Sequence, residues 1–202
     1  MQLLWFKCFH VQIIKLRFSP KNNFKAKKKI TKTNSLKRLT ISLLLISTIS
    51  TLYSQTPLES KVFQKINDYR VENGANRLKW DDATYKSTQI HTEYMIKDGK
   101  LSHTEDSETP KFTNRLMLFQ DNSFIVGNEN VSRVSINGIE DSIDVIADKI
   151  LYSWKTSKGH NTAMLVKGLT IAAISCGDGI IIEGNHTFKM KYSTFVIWNN
   201  QF

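Results

Sequence analysis

The chain has 202 residues, of which 41% are hydrophobic, and its formal net charge is +10 at pH 7. This length is enough for one domain with a buried core, or two at most, and the composition excludes a disordered chain. Residues 1–54 hold eleven of the 28 Lys and Arg residues and no Asp or Glu. The other 17 bases stand against all 18 acids in residues 55–202, so that part has no global electrostatic reason to bind nucleic acid.

A secretory signal is predicted at the end of the basic region. Lys37 and Arg38 precede an apolar run that starts at Leu39, and small residues follow up to Ser54. The run is shorter than the roughly 20 apolar residues of a membrane-spanning helix, so we expect cleavage near Ser54-Gln55 and no stable transmembrane anchor. The predicted organisation is a leader over residues 1–54, with its functional part at about 36–54, and an extracytoplasmic domain over residues 55–202.

Helical patterns occupy the first part of this domain. The segment Thr56-Pro57-Leu58-Glu59 is a capping box with proline at the first helical position, and it predicts a helix that Asn73-Gly74 ends. Asp81 is the expected N-cap of a second helix, which Gly99 closes. The next predicted elements are a short helix over 112–119, a brief extended stretch over 125–127 and a helix with an apolar stripe from 143 to 154.

Strand patterns follow at the end of the chain. Segments 169–176, 180–183 and 194–198 are rich in β-branched and aromatic residues, and Gly177-Asp178-Gly179 is predicted to be the hairpin turn between the first two. Helices first and strands last indicate an α+β domain whose helices cover a small antiparallel sheet. Cys176 is the single cysteine of this part and is expected to be a buried small hydrophobe.

Two histidines stand at the ends of polar loops, where function is favoured over packing. They are His103 and His160, and Glu129 is an acid bracketed by Gly and Asn directly after an apolar stretch. His91 lies on the apolar stripe of the second helix and is interpreted as a packed, hydrogen-bonded core or cleft-wall residue. His186 falls in a predicted turn between strands and is expected to be exposed.

Six segments in this order resemble the CAP superfamily, the SCP domain of cysteine-rich secretory proteins, antigen 5 and pathogenesis-related 1 proteins. The short bacterial branch of that superfamily is the nearest match in pattern. The resemblance covers Leu58 to Phe202, and its landmarks are Ile66-Asn-Asp-Tyr-Arg70, Leu78-Lys-Trp80, Leu101-Ser-His103, Gly127-Asn-Glu-Asn130, Trp154 to His160 and Phe195-Val-Ile-Trp198.

The resemblance implies a three-layer α-β-α sandwich with a central cleft. His103, Glu129 and His160 match the family's cleft residues. Many eukaryotic members have a second glutamate where this chain has Ser157, and the usual Gly-Glu-Asn is here Gly-Asn-Glu-Asn. Ser157 is therefore expected to cap a helix or line the cleft, since no oxyanion hole is legible that would make it a nucleophile with His160 as base.

Several functions are compatible with this set of residues. Neutral imidazoles bind divalent transition metals, so His103 and His160 are candidate Zn²⁺ ligands, with Glu129 as a ligand or as a hydrogen-bond partner that sets a tautomer. The predicted function is a secreted protein that binds a small ligand, a lipid, a glycan or a peptide, or a metal in the cleft. The alternatives are a metal-dependent hydrolase with Glu129 as general base, and an envelope interaction domain with a vestigial cleft.

Overall fold

The computed structural model describes residues 55–121, 124–137 and 141–200. The predicted leader therefore lies outside the described residues. Nine elements follow one another: helix α1 (Pro57–Glu72), strand β1 (Lys79–Trp80), helix α2 (Asp82–Asp98), helix α3 (Phe112–Met117), strand β2 (Ile125–Ser135), helix α4 (Ile143–Lys155), helix α5 (Lys158–Leu165), strand β3 (Ile171–Glu183) and strand β4 (His186–Asn200). None of the helices in this part of the chain is long and apolar enough to cross a membrane.

The four strands form one sheet in the order β1-β3-β4-β2. The long pairings of β4 with β3 and with β2 are antiparallel, whereas the two residues of β1 run parallel to β3. The sheet is therefore mixed at one edge, because a helical crossover separates β1 from β3 in the chain. Strand β2 forms the opposite edge, and this edge carries Glu129.

Helices cover both faces of the sheet and complete the predicted α-β-α sandwich. On one face, the large core packs α1, α4 and α5 against alternate strand residues such as Ile174 and Phe195. On the other face, α2 and α3 pack against the intervening residues, among them Val196 and Trp198. Successive side chains of β4 point to opposite faces of the sheet, so its nearly continuous apolar run contributes to the cores on both faces.

The helix boundaries follow the capping signals in the sequence. The Thr56 side chain accepts a hydrogen bond from the backbone N–H of Glu59, and the Glu59 carboxylate accepts one from the N–H of Thr56. Asp81 accepts from the N–H of Thr84, and Gly99 ends α2 with a φ of 71°. A left-handed residue at this position is inexpensive only for glycine.

The predicted turn at Gly177-Asp178-Gly179 is wrong, because these residues continue one strand and the hairpin turns at Gly184, where φ is 59°. A side chain at either earlier glycine would require a packed neighbour to shift. A Cβ on Gly177 would lie 2.5 Å from Ile96 Cδ1, and a Cβ on Gly179 would lie 2.6 Å from Tyr192 Cε2. Side chains packed over the strand therefore explain a glycine pattern that resembles a turn.

The structure also corrects the length of β2 and the position of His160. The extended stretch at residues 125–127 continues as β2 to Ser135, because its polar residues pair with β4 throughout. His160 is not the end of a loop but lies in the first turn of α5, a separate helix that begins directly after α4. The sequence signal for α5 is weak, since it lacks a side-chain cap and its only fully buried residue is Met164.

Candidate functional site

His103, Glu129 and His160 lie together at the β2 edge of the sheet. The Nδ1 atom of His103 is 3.3 Å from Oε1 of Glu129, and the ring centroids of His103 and His160 are 5.7 Å apart with an angle of 50° between the planes. The His103 side chain is 52% exposed, whereas that of Glu129 is only 3% exposed. The site thus combines an exposed imidazole, a partly buried one and a buried carboxylate.

The backbone of β2 places Glu129 through a close approach to β4. Gly127 pairs with Trp198, and a Cβ at Gly127 would meet the carbonyl oxygen of Ile197 and would lie 2.7 Å from the Cβ of Trp198. This pairing therefore requires glycine at position 127 because a side chain has no room there, and not because the backbone is left-handed. The next residues alternate across the strand, so Glu129 and Asn130 point to opposite faces.

Asn130 connects the strand to the helix that carries His160. Its side-chain amide donates a 3.0 Å hydrogen bond to the carbonyl oxygen of His160, and the hydroxyl of Tyr69 in α1 donates a 3.0 Å bond to Asn161 Oδ1. These two bonds fix the first turn of α5 against β2 and α1. The second asparagine of Gly-Asn-Glu-Asn therefore positions the site, a role that sequence reasoning missed.

His91 and His186 lie where the sequence predicted. His91 is fully buried in α2, its Nδ1 lies 2.8 Å from Glu105 Oε1, and its Nε2 lies 2.8 Å from the carbonyl oxygen of Ser102. It therefore holds the chain directly before His103. His186 is exposed at the start of β4.

Sequence similarity identifies the family to which this arrangement belongs. The chain matches the CAP family, the cysteine-rich secretory protein family, over residues 63–181. It is a member of the CAP family. No curated protein sequence matches the chain.

Two solved structures resemble this CAP domain. An outer surface protein of Borrelia burgdorferi is 14% identical, with a TM-score of 0.50, and the match covers 73% of this chain and 96% of that one. An extracellular protein of Bacillus anthracis with an SCP domain is 19% identical, with a TM-score of 0.47, and the match covers 69% of this chain. The chain spans only 39% of the Bacillus anthracis protein. At 14% identity, the likeness to the Borrelia burgdorferi protein shows a shared fold and nothing about function.

Ser157 stands where many CAP proteins have a glutamate. It is the N-cap residue of α5 by position, but its side chain makes no capping hydrogen bond. Its carbonyl oxygen accepts a 2.8 Å bond from the N–H of Asn161. The second acid of the family cleft therefore has no counterpart at this position.

Arg115 and Glu105 are the polar residues behind the CAP cleft that sequence reasoning missed. One terminal nitrogen of Arg115 contacts Glu129 Oε2, and the other lies 3.3 Å from Glu105 Oε1. Burial hid both residues from a sequence reading, since a lone Arg in a short helix and an acid in a polar loop are ordinary surface features. Only Glu105 carried a signal of position, because it lies two residues after His103, whereas Arg115 is far in sequence from every predicted site residue.

Electrostatics favour a neutral imidazole at His160. Burial, and then repulsion from His103 whenever that imidazole is protonated, lower the pKa of His160. A histidine with a lowered pKa is neutral around neutral pH and keeps a lone pair on one ring nitrogen. The same physical cause acts on a thiol in the opposite direction, since burial raises the pKa of Cys176 to about 12 and leaves it protonated and unreactive.

The donor set is too small for a resident zinc ion. Protein-bound zinc takes four protein ligands in structural sites and three in catalytic sites. Here two imidazoles are open, the carboxylate of Glu129 is shared between Arg115 and His103, and Ser157 replaces the further acid. Within residues 55–121, 124–137 and 141–200, no group of three or more His, Cys, Asp or Glu side chains could hold a metal ion. These residues do not fit a tightly held Zn²⁺.

Proposed function

We propose that this CAP-domain protein is exported and binds a small ligand, a glycan or a peptide, at His103 and His160. The observation that carries the proposal is the contact of His103 Nδ1 with Glu129 Oε1 at 3.3 Å, beside His160. An ionised carboxylate only accepts hydrogen bonds, so Nδ1 of His103 carries the proton and Nε2 keeps its lone pair. Glu129 thus acts as the hydrogen-bond partner that sets the tautomer.

Two lone pairs determine the chemistry of the ligand. Neutral His160 and the Nδ1–H form of His103 both offer acceptor nitrogens, which suit hydroxyl or amide N–H donors rather than anions. Sugars and peptide backbones present such donors in pairs. A lipid would need an apolar wall, whereas the contacts described for the His103 side chain are with Glu129 and His160.

Two observations support export. In residues 37–54, two basic residues are followed by an apolar run and then by small residues. The solved structures that resemble this chain are also of proteins found outside the cytoplasm. The Borrelia burgdorferi structure is an outer surface protein, and the Bacillus anthracis one is extracellular. The expected processing site near Ser54-Gln55 lies just before α1. N-terminal sequencing of the protein secreted by its host tests the site, and a start far from Gln55 would contradict it.

The ligand proposal is tested with arrays of bacterial glycans and peptides. Native protein, His103→Ala/His160→Ala and the control His186→Ala are labelled identically and applied without a histidine tag. Loss of two hydrogen bonds should weaken binding by about tenfold or more in the double variant and leave the control unchanged. Equal binding by all three proteins, or no binding by the native protein, would contradict the proposal.

The hydrolase alternative is less well supported by the geometry. A general base needs a free carboxylate oxygen, whereas Arg115 and His103 each contact one oxygen of Glu129. Metal analysis of the purified protein and a panel of hydrolase substrates, with and without Zn²⁺, test this alternative directly. Metal-dependent turnover that disappears in His103→Ala/His160→Ala would establish the enzyme and overturn the pure binding function.

A further inference from the structure

A cluster of ionisable side chains lies behind the His103 and His160 imidazoles. We call it the buried cluster, and it consists of His91, Glu105, Arg115 and Glu129. The side chains of His91 and Arg115 are fully buried, and those of Glu105 and Glu129 are 3% exposed. Such groups are rarely buried unless they are paired, because removing a charge from water is costly.

Arg115 joins the two carboxylates of the buried cluster. One terminal nitrogen is hydrogen-bonded to Glu129 Oε2, while the other lies 3.3 Å from Glu105 Oε1 and donates a 3.1 Å bond to the carbonyl oxygen of Pro110. The guanidinium is a rigid planar fork, so its position fixes the two acids relative to each other. A lysine has one charged nitrogen on a flexible stem and cannot reproduce this geometry.

The buried cluster reaches His103 by two routes. Through Glu129, one oxygen faces Arg115 and the other lies 3.3 Å from His103 Nδ1. Through Glu105, the acid contacts His91, whose other ring nitrogen lies 2.8 Å from the carbonyl oxygen of Ser102. His103 is therefore held from its side chain and from the adjacent backbone, although more than half of it is exposed.

We propose that Arg115 is a positioning residue for the cleft: by holding Glu129 and Glu105 in register, it presents Glu129 Oε1 to His103 and so sets the His103 tautomer. Arg115 itself is enclosed and reaches no ligand. The inference rests on the role of His103 in the proposed function, but the orientation of its ring can be measured without any ligand. It also explains why Glu129 is a partner of the imidazole and not a free base.

The experiment records the side-chain ¹⁵N shifts of His103 at one fixed pH near neutrality. These shifts distinguish the Nδ1–H from the Nε2–H tautomer. The native protein should show mainly the Nδ1–H form. In Arg115→Met, loss of the oriented hydrogen bond to Glu129 should change the tautomer ratio by about fivefold toward Nε2–H. Arg115→Lys should give an intermediate ratio, because it restores the charge without the fork.

Two further variants keep the result interpretable. Arg115→Met leaves two buried carboxylates without their cation, so Arg115→Met/Glu105→Gln is made in parallel to reduce the excess negative charge. Arg77→Met is the matched control, since Arg77 is an exposed arginine whose ion pair with Asp68 involves no member of the buried cluster. Thermal unfolding shows which variants are folded at the temperature of the measurement.

The outcomes separate this inference from the proposed function. A changed His103 tautomer in the folded Arg115 variants, with native behaviour in Arg77→Met, supports the positioning role even if the arrays show no ligand. An unchanged Nδ1–H tautomer in a folded Arg115 variant overturns it, whether or not the native protein binds glycans or peptides.

Discussion

Single residues in this domain differ in role because their surroundings differ. His91 and His103 belong to neighbouring segments, but His91 is enclosed with both ring nitrogens facing oxygen acceptors, while His103 exposes half of its side chain. A buried imidazole with two partners is a structural support, whereas an exposed one with a single oriented partner is free to bind. Burial and hydrogen-bond partners therefore decide between two chemically identical side chains.

The lowered pKa of His160 predicts a pH dependence of stability. Below its ordinary pKa of 6.5, the unfolded chain binds a proton that folded His160 resists, so the free energy of unfolding rises with pH through the window below 6.5 and levels off above it. In His160→Gln this contribution disappears. Denaturant unfolding at about pH 5 and about pH 7.5 should therefore show a smaller pH effect in the variant than in the native protein.

His186→Gln serves as the control for this measurement. His186 is exposed, so its removal should leave the difference between the two pH values as it is in the native protein. An identical pH effect in native protein and His160→Gln would show that His160 titrates equally in the folded and unfolded states, contrary to its lowered pKa.

At the scale of elements, a buried arginine holds the far end of α5. The Arg70 guanidinium, at the end of α1, is fully buried and donates hydrogen bonds to four carbonyl oxygens, those of Asn76, Met164, Val166 and Leu169. A cation at the C-terminus of a helix satisfies carbonyl groups that have no partner within the helix. Arg70 thus anchors the end of α5, while Asn130 and Tyr69 anchor the beginning that carries His160.

Arg70→Met is expected to lower the free energy of unfolding by about 2–4 kcal/mol, because several buried carbonyl oxygens lose their donor. Chemical denaturation measures this loss. Arg77→Met is the matched control, and removal of its exposed ion pair with Asp68 should cost less than about 1 kcal/mol. Similar losses in the two variants would contradict the anchoring role of Arg70.

For the whole molecule, charge separates the chain into a basic N-terminal region, residues 1–54, and a nearly neutral remainder. The described core clusters are built from residues between Leu58 and Trp198. All positive excess lies in residues 1–54. The domain should therefore be independent of the leader in both folding and polyanion binding.

Residues 55–202 produced alone are expected to unfold in one cooperative transition and to pass through a heparin column at about 0.1 M salt. The full chain should be retained, because eleven additional bases contact the polyanion. Circular dichroism and elution position measure the two properties. A broad non-cooperative transition, or retention of the isolated domain, would show that the leader sequence is not separable in this way.

The sequence by itself determined the elements whose signals are local. The capping box at Thr56-Pro57-Leu58-Glu59, the αL glycine at Gly99 and the apolar stripe of α4 depend on neighbours within one or two helical turns, and each lies where it was predicted. The order of six family segments then fixed the α-β-α architecture, which the structure confirms. Local chemistry and motif order thus reached the fold without coordinates.

Only the tertiary structure decided features that depend on residues distant in the chain. Gly177 and Gly179 lie in β3 because they pair with β4, and Ile96 and Tyr192 occupy the space above them; no local pattern contains that information. Arg115 meets Glu105 and Glu129 only after α3, a loop and β2 have packed together. The sequence therefore named the two histidines and the acid that lie together at the β2 edge, but long-range packing determined what surrounds them.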